Sequence, residues 1–73
     1  MNEIQLYIKV GKKIRKIREG ENISQQDLAD RCSFEKSNMS RIEAGRTNLT
    51  LKTLYTISKA LSIPIKDFFN FEE

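Results

Sequence analysis

The best-marked boundary in this chain is at Ser24, and it constrains the fold more than any other feature. Ser24 is a good helix N-cap residue. Asp27 stands three positions later, where an acid favours the positive end of the helix dipole. Ile23 and Leu28 then occupy the two positions of a hydrophobic staple. The helix that starts here is short, about Gln25 to Cys32, because its apolar stripe is only Leu28, Ala29 and Cys32. A turn at Ser33-Phe34-Glu35 follows. A third helix then covers about Lys36 to Ala44, with Met39 and Ile42 inward and Gly45 as the residue that ends it.

The flanking segments are helical as well. Tyr7, Val10, Ile14 and Ile17 recur at steps of three and four, which predicts a first helix from about Asn2 to Glu19, ending near Gly20. Thr50 is a second plausible N-cap, and a fourth helix runs about Leu51 to Leu61, with Leu51, Leu54, Ile57, Ser58 and Leu61 on one side. The only proline, Pro64, suits the first turn of a short fifth helix to about Phe69. The expected fold class is all-α, a compact five-helix bundle forming one domain over residues 1–73.

What is missing narrows the function. There is no histidine, the commonest general base and transition-metal ligand. A single cysteine, Cys32, makes neither an internal disulfide nor a thiolate zinc site, and its place on the apolar stripe reads as core packing. The three glycines lie too far apart to cradle a phosphate. An enzyme, a metal protein or a cofactor carrier is therefore not expected. No apolar run approaches the roughly 18 residues that would span a bilayer, and the start has no signal-peptide layout, so a cytoplasmic protein without membrane contact is expected.

Thirteen Lys and Arg against ten Asp and Glu give a net charge of +3, unevenly spread. Residues 1–18 carry a local +5 and residues 36–59 a local +4, with the acids between these blocks and at the C-terminus. Such a distribution suits a polyanion partner, although solvated helix faces produce it too. For the Lys12–Arg18 cluster the solvated face is the better reading. Two short helices joined by a three- or four-residue turn, the second rich in Lys, Ser, Asn and Arg on its open side, have the layout of a DNA-reading helix-turn-helix over about residues 25–44.

Three runs carry a resemblance: Ser24-Gln25-Gln26-Asp27-Leu28-Ala29, Met39-Ser40-Arg41-Ile42-Glu43-Ala44-Gly45 and Leu51-Lys52-Thr53-Leu54. Together with Ile14-Arg15-Lys16-Ile17-Arg18 they are similar to the Cro and phage-repressor (Xre) helix-turn-helix family, over about residues 8 to 69. Within it, Arg46-Thr47-Asn48-Leu49-Thr50-Leu51 and Phe68-Phe69 are similar to the small controller proteins of restriction-modification systems.

The resemblance implies a bundle of the lambda-repressor-like type and a set of roles. Lys36, Ser37 and Arg41 would contact bases, and Gln25, Asn38, Ser40, Arg46, Thr47 and Asn48 would contact phosphates. Arg18 and Glu43 match a partly buried salt bridge of the family. The apolar cluster Ile63, Ile65, Phe68, Phe69 and Phe71 exceeds what one short helix hides, and part of it reads as a dimer surface.

Two positions depart from the family pattern. Ser33 stands where Gly is usual, in a turn that favours positive φ, and Glu35 replaces the usual Ser or Thr N-cap of the third helix. The implied function is that of a transcriptional regulator, repressor or activator, binding double-stranded DNA as a homodimer on a palindromic operator. RNA polymerase and a toxin are further partners that the family admits. The alternatives are a protein-interaction module or a toxin-neutralising antitoxin on the same fold.

Overall fold

The computed structural model describes residues 1–71. Its elements run α1 (Glu3–Gly20), α2 (Gln25–Cys32), α3 (Lys36–Glu43) and α4 (Leu51–Leu61), followed by a 3-10 helix (Ile65–Phe69). The fold is all-helical, with four α-helices rather than five. The fifth expected helix is a 3-10 turn, and Pro64 lies just outside it.

Capping explains where the helices begin. The Ser24 and Thr50 hydroxyls accept from the backbone N–H of Asp27 and Thr53, at 3.0 and 3.1 Å, and both helices start where the sequence predicts. Helix α1 begins one residue later than expected because Asn2 is itself the cap. Its side chain accepts from the Gln5 N–H while the Gln5 side chain accepts from the Asn2 N–H, each at 2.9 Å, a closed capping box. Helix α3 has no such help: Glu35 occupies the cap position and its side chain makes no capping bond.

The helix ends are marked by left-handed residues. Ser33 (φ 58), Ser62 (φ 57) and Asn22 (φ 60) all carry positive φ without being glycine. At the end of α2 the Phe34 N–H reaches back to the Ala29 carbonyl at 2.8 Å, which requires the left-handed turn at Ser33. Gly45 (φ 73) ends α3, and a Cβ there would lie 2.6 Å from the Ile8 Cα.

The core is one cluster fed by every element. Ile14, Leu28, Met39, Ile42, Ile57 and Phe68 are its largest fully enclosed members. Two small residues set the spacing of the recognition unit. Ala29 is fully buried in α2. A Cβ on Gly11 of α1 would meet the Ile42 carbonyl oxygen of α3 at 2.5 Å, so only glycine permits this crossing. Helix α1 thereby lies against the back of α3.

Two side chains sit elsewhere than the sequence suggests. Phe68, expected at a dimer surface, is fully enclosed in the core. The 3-10 winding repeats every three residues, so Ile65 and Phe68 share the inward side and Phe69 turns outward, while Phe71, beyond the helix, packs against the core as well. Leu51, expected inward on α4, is 76% exposed, because it lies in the first turn where no neighbouring element covers it.

Candidate nucleic-acid interface

Helix α3 buries one side and opens the other. Met39, Ile42 and Glu43 are buried, and Asn38 is half-buried at the margin. At about 100° per residue, Lys36, Ser40, Ser37 and Arg41 follow one another across an arc of about 140° on the opposite side. All four are exposed. The two serines occupy the middle of this arc and the two long basic side chains its flanks. Ser40, assigned to phosphate by the family pattern, therefore lies among the central residues, while Asn38 lies at the edge.

The single acid of α3 does not face this arc. The Arg18 Nε donates to Glu43 Oε2 at 2.7 Å and its Nη2 donates to Glu43 Oε1 at 3.0 Å, a two-pronged pair with both residues buried. The Arg18 Nη1 donates to the Ile23 carbonyl at 2.8 Å, tying in the turn before α2. The hydrogen bond to Glu43 raises the Arg18 pKa above its ordinary value, so the charge is fixed. Removing either partner of such a pair costs about 3–5 kcal/mol. Glu43 also accepts from Gln25 Nε2 at 3.1 Å. Gln25, the first residue of α2, is thus anchored to the last residue of α3.

Exposed basic side chains lie on the open arc and in the segment that follows it. Arg41 makes no ion pair among the described residues, since the Glu43 carboxylate belongs to Arg18. The loop after α3 adds exposed Arg46 and Asn48 and half-buried Thr47, and Lys52 is exposed in the first turn of α4. Glu35 is the one exposed acid beside the arc. On α2 the acids are taken up locally, Asp27 by Arg31 at 3.3 Å and Asp30 by Gln26 at 2.8 Å.

Residues 11–72 match the helix-turn-helix domain family. The chain belongs to it. The protein named control protein C.BamHI, from Bacillus amyloliquefaciens, is 39% identical over 71 residues, covering 96% of this chain and 85% of that one. Control protein C.MunI from a Mycoplasma species is 34% identical, covering 96% and 93%. Among solved structures, the restriction-modification controller protein C.AhdI from Aeromonas hydrophila superposes with a TM-score of 0.84 at 27% identity, over 86% of this chain and 96% of that one. The family is one of transcriptional regulators and not of enzymes.

The remaining sequence-predicted residues divide by burial. Ile63, Ile65 and Phe71 are half-buried against the core, and Phe69 is exposed, its ring edge-on to Phe71 at 6.4 Å. The sequence analysis missed Leu51 and Tyr55, two exposed apolar residues one turn apart on α4, with Lys59 Nζ 5.6 Å above the Tyr55 ring. For Tyr55 the signal was angular, since it lies well off the Leu54–Ile57–Leu61 direction, whereas Leu51 keeps the periodic step and gave none. Cys32 is buried, and desolvation pushes its thiol pKa up, away from reactivity. No described helix is long and apolar enough to cross a membrane.

Proposed function

We propose that this helix-turn-helix protein is a sequence-specific DNA-binding transcriptional regulator that acts as a homodimer on a palindromic operator. The observation that carries the reading is the open polar arc of α3, backed by a buried side pinned to α1 and α2. A rod so held keeps its angle when pressed into a major groove. Lys36 and Arg41 suit the guanine edge, and Ser37 reaches either kind of base pair. Ser40 joins them from the middle of the arc. Gln25, Asn38, Arg46, Thr47 and Asn48 flank the arc and set register through phosphates.

A dimer surface is supported by three of the five large apolar side chains left in water, Leu51 and Tyr55 on α4 and Phe69 on the 3-10 helix, which packs against α4; the other two, Met1 and Ile4, lie at the start of the chain. Two copies double the number of base pairs read and space the half-sites by roughly 34 Å. Likeness to C.BamHI, C.MunI and C.AhdI supports a controller role beside a methyltransferase and an endonuclease.

Selection of bound sequences from a random duplex pool, followed by titration over several salt concentrations, tests the reading. The expected result is a two-fold symmetric site bound by two chains. Affinity no better than trivial for every duplex at low salt would overturn it.

A further inference from the structure

Glu43 takes three donors from two other helices: Arg18 Nε, Arg18 Nη2 and Gln25 Nε2. An ionised carboxylate only accepts hydrogen bonds. The amide atom of Gln25 that faces it must therefore be the nitrogen. This fixes which way round the Gln25 amide sits, a choice that a free glutamine makes either way. One Nε2 hydrogen goes to Glu43, and the second has no acceptor among the described residues. The Gln25 side chain is only half-buried, so this second hydrogen belongs to a group that an incoming ligand reaches.

We infer that Glu43 is a positioning residue for DNA binding: by taking one Nε2 hydrogen of Gln25 it fixes which way round the amide sits, leaves the other Nε2 hydrogen for the phosphate backbone, and keys that anchor to the end of the recognition helix. The inference rests on the proposed contact between Gln25 and a phosphate. An amide presented oxygen-first would set an acceptor against an anion, which repels, whereas a free N–H donates to it. Arg18 completes the device. Its guanidinium neutralises Glu43, so the carboxylate orients Gln25 without presenting a bare negative charge to the DNA. Since Glu43 closes α3 and Gln25 opens α2, one carboxylate holds the phosphate anchor and the groove-reading helix in a single frame.

The test compares binding to one pool-selected duplex for the intact protein and for Gln25→Met, Gln25→Lys, Glu43→Gln and the two Glu43→Gln double variants. Gln25→Met removes the donor and is expected to weaken binding about tenfold or more. Gln25→Lys is expected to retain binding, since an ammonium donates in every direction and needs no orientation. Glu43→Gln is expected to weaken binding about as much as Gln25→Met. It should add little on top of that variant and should be rescued when combined with Gln25→Lys.

If Gln25→Met leaves affinity unchanged while Arg46→Ala lowers it, the phosphate role of Gln25 falls and the inference with it. If Gln25→Met weakens binding but the Glu43 effect is additive and Gln25→Lys fails to rescue it, the positioning role alone falls. Should Glu43→Gln not fold, the Gln25 side-chain amide resonances of the intact protein decide the matter. One Nε2 proton exchanging slowly in the free protein, with the other shifting on DNA addition, supports the inference. Two protons exchanging as fast as those of a solvent-exposed glutamine overturn it.

Discussion

Ser33 and Ser62 each end a helix in the left-handed conformation, at φ 58, ψ 38 and φ 57, ψ 42. For a residue with a Cβ this region costs about 1–2 kcal/mol. Neither hydroxyl makes a hydrogen bond among the described residues, and both side chains are exposed, so replacement by glycine removes no contact. Glycine gives back about 0.5–1 kcal/mol through the greater freedom of the unfolded chain. The net gain expected from Ser33→Gly or Ser62→Gly is therefore about 0.5–1 kcal/mol each. In a domain of this size that raises Tm by about 2–8 °C. The two sites lie at the ends of different helices with no shared partner, so the double variant should show about the sum.

Asn22 supplies an internal control. It has φ 60, but asparagine tolerates the left-handed region, and Asn22→Gly should gain less than either serine change. Thermal and urea unfolding of the parent and the four variants, with DNA affinity measured alongside, would check this. A serine variant no more stable than the parent, or an asparagine variant that gains most, would refute the assignment of strain to these turns.

Glu35→Ser should stabilise the protein by about 1 kcal/mol, because α3 has no side-chain cap and serine supplies one; it should also tighten DNA binding at low salt by removing the exposed acid beside the arc. Arg41→Ala should cost about 1–3 kcal/mol of binding and relax preference at one base position, seen in a repeated sequence selection; a uniform loss over all sequences would make Arg41 a phosphate contact. Tyr55→Glu with Leu51→Glu should yield a folded monomer by sedimentation equilibrium, whereas Phe68→Ala should lose about 3–5 kcal/mol of stability and with it most of the cooperative unfolding transition. The buried Cys32 thiol has a raised pKa, so the folded state holds its proton longer than the unfolded state does. Its contribution is present below the ordinary thiol range and is lost as pH rises through it, and Cys32→Ala should remove that part of the alkaline decline in stability.

The bounds of α2 and α4 can be read from the chain because Ser24 and Thr50 carry their own start signals, local chemistry that needs no tertiary partner. The ends of α1 and α3 differ by one residue from the periodic pattern, which marks faces and not termini. Leu51 and Phe68 exchanged expected places for different reasons. Periodicity identifies an apolar residue but not whether another element arrives to cover it, which misplaced Leu51. Phe68 was placed at the surface on apolar area alone, which says how much must be hidden and not which of the clustered side chains the core takes. The open side of α3 follows from its sequence once Met39 and Ile42 are taken as inward. The bond between Gln25 and Glu43 does not, since it joins residues 18 apart in the chain and exists only after three helices have assembled.

The division of α3 into a fixed back and an open front has an evolutionary and practical consequence. Lys36, Ser37, Ser40 and Arg41 take no part in the core, so exchanging them costs the fold about 0.5 kcal/mol or less apiece. On the proposed reading of α3 as the DNA-reading helix, a lineage carrying this scaffold would drift from one binding site to another without passing through an unstable ancestor. In the laboratory, randomising those four codons alone would, on the same reading, give new genomic addresses on an unaltered chassis.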